Sequence, residues 1–103
     1  MTQAEQKVHF EDMVSNMRTV LLSKAEDYAN EDVLSNFKLA GNICGVSPEI
    51  NCLSLIATKV ARLGVLLHTK KTPNNESIQD SILDLANYAM LISMIVKENN
   101  YGK

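Results

Sequence analysis

Ser47, Pro48 and Glu49 open a run in which apolar residues return every third or fourth position as far as about Thr69. Ser47 can cap a helix, Pro48 suits its first position, and Glu49 favours the positive end of the helix dipole. A second run of the same period extends from about Asn75 to Glu98. Nowhere does the chain alternate with the two-residue period of a half-buried strand. So much helical periodicity leaves helix-on-helix packing as the available architecture.

Two further segments complete the pattern. Thr2 and Glu5 form a capping box, and Phe10, Met13, Val14, Met17, Val20 and Leu21 recur at helical spacing to about Lys24. A short helix over about Asp32–Ala40 carries Val33, Leu34 and Phe37, and Gly41 reads as its C-cap. The expected helices are therefore 3–24, 32–40, 48–69 and 75–98, in one all-α domain over 1–103. The fold is read as a compact antiparallel helical bundle of three long helices and one short.

With 103 residues there is room for one hydrophobic core. Tryptophan is absent and aromatics are 5% of the chain, so aliphatic side chains and methionine must fill that core. The net charge of -2 gives no basic field of the kind that non-specific binding to a nucleic acid polymer needs, so none is expected as partner. The polar N-terminal stretch shows no signal peptide, and no apolar run is read as a membrane span. A cytoplasmic location with no membrane partner is the expectation. Cys44 and Cys52 form no CxxC and read as reduced thiols. His9 and His68 have no ligand-spaced partners and read as surface residues.

Both long C-terminal helices are busy on more than one face. In the third, Leu53, Ile56, Val60, Leu63 and Leu67 read as the core stripe, and Leu55, Lys59, Arg62 and Leu66 form a second line. In the fourth, Ile78, Ile82, Leu85, Ala89, Ile92 and Val96 read as core. Its other side begins with Glu76, Asp80, Asp84 and Asn87 and then turns apolar with Met90, Leu91, Met94 and Ile95. A helix apolar on two sides is buried on two sides, so a homo-oligomer is expected. Lys59 and Arg62 can pair with Asp80 and Asp84 as a structural ladder. Alternatively they line a pocket in which the cations hold phosphate oxygens, the carboxylates hold Mg²⁺, and Asn87 reads a base edge.

The segments "KAEDYAN…NFKLAG", "KVARLGVLL" and "ESIQDSILDLANYAMLI" together resemble the nucleotide modification associated domain 1 family, small helical proteins of bacteriophages and prophages. The resemblance spans Lys24 to Ile92, and its last motif is the most specific. It implies a nucleotide-like ligand and, residue by residue, a site drawn from Lys24, Asp27, Tyr28, Asn36, Phe37, Lys59, Arg62, Glu76, Asp80, Asp84, Asn87 and Tyr88. Thr58 stands where the family pattern has an aspartate, which removes one carboxylate. A more distant similarity is to the MazG-type all-α nucleoside triphosphate pyrophosphohydrolases. Their E-E-x-x-E is missing here, and the acidic Glu26, Asp27, Glu31 and Asp32 fall in or near a loop.

Three readings follow. The favoured one is a protein that binds a nucleotide or cyclic oligonucleotide and sequesters a signalling nucleotide of host defence. The second is an Mg²⁺-dependent pyrophosphohydrolase with Glu76, Asp80 and Asp84 as metal ligands and catalytic groups. The third is a helical protein-interaction module. Phe37 reads as core. Tyr28 is open between packing and stacking on a base. Tyr88 reads as half-buried with its hydroxyl paired.

Overall fold

The computed structural model describes residues 1–27, 32–69 and 75–99, with side chains described for 1–23, 32–69 and 78–99. Among these the chain is all-α: α1 Gln3–Asp27, α2 Ser35–Cys44, α3 Pro48–Thr69 and α4 Asn75–Glu98, with no strand. It falls into two units, Met1–Glu31 and Asp32–Lys103.

The first unit is α1. Its expected cap is present, with the Glu5 N–H donating to Thr2 Oγ1 at 3.1 Å. The helix continues past Lys24 to Asp27. Met13, Val14, Met17, Val20 and Leu21 are half-buried, but Phe10 is 62% exposed and does not belong to a core. The stripe on α1 therefore begins a turn later than its spacing suggests. His9 lies on the surface, as expected.

In the second unit, α2 is displaced toward the C-terminus of its expected span at both ends. Asp32 holds the chain in a turn, because its Oδ1 accepts the Leu34 N–H at 3.0 Å and its carbonyl accepts the Ser35 N–H at 3.1 Å. That delays the helix to Ser35. Gly41, expected as the cap, lies inside the helix and is buried. The cap is Gly45, at φ 73, where the Gly45 and Val46 N–H groups return to the carbonyls of Asn42 and Gly41. We expect Gly45→Ala to cost about 1 kcal/mol, since a Cβ opposes this left-handed backbone. Thermal denaturation reads it.

Ser47 caps α3 as expected, accepting the Ile50 N–H at 3.2 Å. α3 and α4 then pack antiparallel: Glu49 meets Asn99, Cys52 meets Tyr88, and Lys59 meets Asp84. Leu34, Cys52 and Ile95 are the buried apolar centre, with Phe37, Ile56, Tyr88, Leu91, Ile92 and Met94 packed around it. Phe37 is core, as its position on a short helix suggests. Burial pushes the Cys52 thiol pKa up, and its Sγ lies 3.6 Å from the Tyr88 carbonyl. Such a thiol is inert. Both cysteines are free.

The inward face of α3 differs from the expected stripe. Ile56 and Leu63 are half-buried, but Leu53, Val60 and Leu67 are exposed. The face toward α4 is Cys52, Ile56, Lys59, Leu63 and Leu66. It is rotated toward the second line, that of Lys59 and Leu66, and Asp84 pairs with the lysine at the interface. On α4, Ala89 is exposed, while Ser81, Asn87 and Ile95 are the buried positions. By length and composition alone α3 is apolar enough to cross a membrane, with a mean hydropathy of 1.6 over an 18-residue window, and one side of it is packed on α4.

Lys38 links the two ends of the unit, donating to Asp32 and pairing with Glu98. Its hydrogen bond to Lys38, then that to the Leu34 N–H, lowers the Asp32 pKa; the bonds to Asp32 and Glu98 raise that of Lys38. The depressed carboxyl stabilises the fold above its unfolded pKa of about 4, and that contribution is lost as pH falls through the folded value. The raised ammonium contributes below about 10.4 and is lost as pH rises through its folded value. We expect thermal melts between acid and neutral pH to show a shallower acid limb in Lys38→Met than in the native chain.

Candidate functional site

The polar row of α4 sinks into the protein as it advances. Asp80 is exposed, Asp84 is half-buried, and Asn87 retains only 5% of its surface. Helical spacing of three and four residues puts them on one face. At the middle of the row, Lys59 Nζ lies 2.9 Å from Asp84 Oδ2, with both side chains roughly a third exposed. This is one rung of the ladder weighed from the sequence. At such exposure it contributes on the order of 1 kcal/mol or less. Its larger consequence is positional: the ammonium is held at the α3–α4 seam instead of sweeping through solvent.

Asn87 is the anomaly. Neither its Oδ1 nor its Nδ2 has a hydrogen-bond partner among the described residues, although both atoms are fully shielded. Leaving a buried amide group unsatisfied costs about 1–3 kcal/mol. Buried polar groups are nearly always bonded, so this carboxamide, one turn beyond an ion pair, holds an unused donor and an unused acceptor among the described residues.

Of the other sequence-derived candidates, Tyr88 is half-buried and packs on the core. Arg62 and Asn36 are exposed, and among the described residues Arg62 makes no ion pair. Arg62, Asp80 and Asn36 thus lie at the surface, whereas Lys59 and Asp84 are half-buried and Asn87 is buried. The side chains of Lys24, Asp27 and Glu76, and all of Tyr28, lie outside the described residues. Among the described residues no cluster of three or more His, Cys, Asp or Glu side chains is arranged to hold a metal ion. Thr58 is exposed, and its hydroxyl donates to the Ser54 carbonyl at 3.0 Å. The shallow groove along Ala4, Glu5, Val8, His9 and Asp12 belongs to α1, and one helix gives a ligand only one wall.

Sequence reasoning missed Ser81, which is 3% exposed, and the Asp32–Lys38–Glu98 link. The signal for Ser81 was available: it lies one turn before Asp84 and two before Tyr88, on the row that the heptad pattern turns inward. In comparisons with known proteins, no family model, no curated protein and no solved structure matches this chain.

Proposed function

We propose that this is a small helical phage-type protein that binds a nucleotide or cyclic oligonucleotide at the α3–α4 seam, as a homo-oligomer in the host cytoplasm. In this reading it sequesters the ligand, a signalling nucleotide of host defence. The observation that carries the reading is Asn87, whose buried amide lacks partners among the described residues, one helical turn from the aspartate that positions Lys59. The motif resemblance from Lys24 to Ile92 supports the same ligand class. Lys59 and the exposed Arg62, one turn apart, hold phosphate oxygens; Asp84 orients Lys59 and releases part of its charge to the ligand. Asn87 reads the base.

The test is incubation with a panel of linear nucleoside mono- and triphosphates and cyclic di- and trinucleotides, with and without Mg²⁺. Bound, released and degraded material is then separated. We expect one member to be retained and recovered intact, and Lys59→Ala with Arg62→Ala to weaken retention by about tenfold or more. Mg²⁺-dependent turnover lost in Asp80→Asn would establish the pyrophosphohydrolase reading instead. No retention of any member would overturn both.

A further inference from the structure

An exposed line of α3, about a third of a turn round from the residues that pack on α4, carries Ile50, Leu53, Ala57, Val60, Gly64 and Leu67. Their spacing is three, four, three, four, three, the seam of a coiled coil sustained over roughly 25 Å of helix. All six are exposed, the four large ones by about half. An apolar seam of this regularity is otherwise found at helix–helix contacts.

We propose that a second copy of this chain docks on this seam, its α3 running antiparallel to the first. The proposal rests on the oligomer named above but not on the ligand. Size complementarity selects the occupant and its direction. About a two-fold axis midway along the seam, Ile50 faces the partner's Leu67, Leu53 faces the partner's Gly64, and Ala57 faces the partner's Val60. Each large side chain in the inner two pairs meets a small one. A parallel pairing sets Leu53 against the partner's Leu53 and leaves Gly64 facing glycine. Gly64 is a poor helix former in mid-helix, and among the described residues no other part of the chain lies within 4 Å of a Cβ built there. No packing among the described residues asks for a glycine, whereas an incoming leucine does. Charge agrees: between Ile50 and Leu67 the exposed residues of α3 include one ionised side chain, Arg62, and it lies off the seam. Antiparallel helices also place opposite dipole ends side by side. The isologous geometry closes at two copies or builds a larger closed ring through a second interface.

The experiment uses the full chain with Cys44→Ser to remove the exposed thiol. Leu53→Cys and Gly64→Cys chains are oxidised separately and mixed, and the native chain is sedimented at increasing concentration. We expect a self-associating native chain and a disulfide-linked species that dominates only in the mixture. We expect Gly64→Leu, which improves helix propensity and fills open space in the free subunit, to weaken association by about tenfold or more while helix content is retained. A native chain that stays monomeric at its solubility limit overturns the proposal. So does preferential Leu53→Cys self-linking, which would mean parallel packing, or a monomer that instead pellets with phosphatidylcholine vesicles.

Discussion

Asn87→Leu is expected to make the protein more stable and to abolish ligand binding. The carboxamide is buried with both functional atoms unbonded among the described residues, so the native fold carries a desolvation cost that the unfolded chain avoids. Leucine has a similar volume and no polar atoms, and the site is flanked by the apolar interface of α4. Replacing an unsatisfied polar group with an apolar one of like shape recovers about 1–3 kcal/mol. For a domain of this size each kcal/mol moves Tm by roughly 4–8 °C. A gain in stability coupled to a loss of binding is the signature of a group retained for recognition. A fall in Tm would mean that Asn87 is bonded in solution and serves the fold.

Gly41→Ala is expected to be the most destabilising glycine substitution in the second unit. Alanine ordinarily strengthens a helix interior by about 1 kcal/mol relative to glycine. Here the added Cβ would stand 2.7 Å from the Val46 carbonyl oxygen, 3.3 Å from Ser47 C and 3.4 Å from Pro48 N. All three are backbone atoms of the turn that delivers the chain from α2 into α3, so no rotamer change relieves the clash. Overpacking of this kind costs about 1–3 kcal/mol, which reverses the sign of the propensity gain. Denaturant titration should show a lower midpoint for Gly41→Ala, and an unchanged midpoint would contradict the close approach.

The helical architecture was legible because caps and period agree. Thr2 with Glu5, and Ser47 with Pro48, mark helix starts that the backbone confirms. The ends of α2 were less legible. Gly41 and Gly45 are both plausible caps, and only the close approach of the α2–α3 turn distinguishes the helical glycine from the one at positive φ. The inward face of α3 was misjudged for a related reason. Periodicity gives two apolar lines on that helix, and counting hydrophobes favours Leu53, Val60 and Leu67. The face that packs on α4 contains a lysine, and Lys59 is tolerated there only because Asp84 comes from the other helix. The sequence offered that pairing as one alternative, but the one-dimensional pattern does not say which face of α3 it turns inward. The acidic line of α4 was visible, but its gradient from exposed Asp80 to buried Asn87 was not, since that depends on which side of α4 the rest of the unit covers.

The central claim is that the Asn87 carboxamide is a recognition group awaiting a partner, and the most direct measurement is of that group itself. The side-chain NH₂ resonances of Asn87 can be followed by ¹H–¹⁵N NMR while the nucleotide retained in the panel is titrated. Both resonances should shift on binding and become protected from exchange at saturation. Resonances that stay in place at saturation, or that already show a bonded, protected amide in the free protein, would contradict the account.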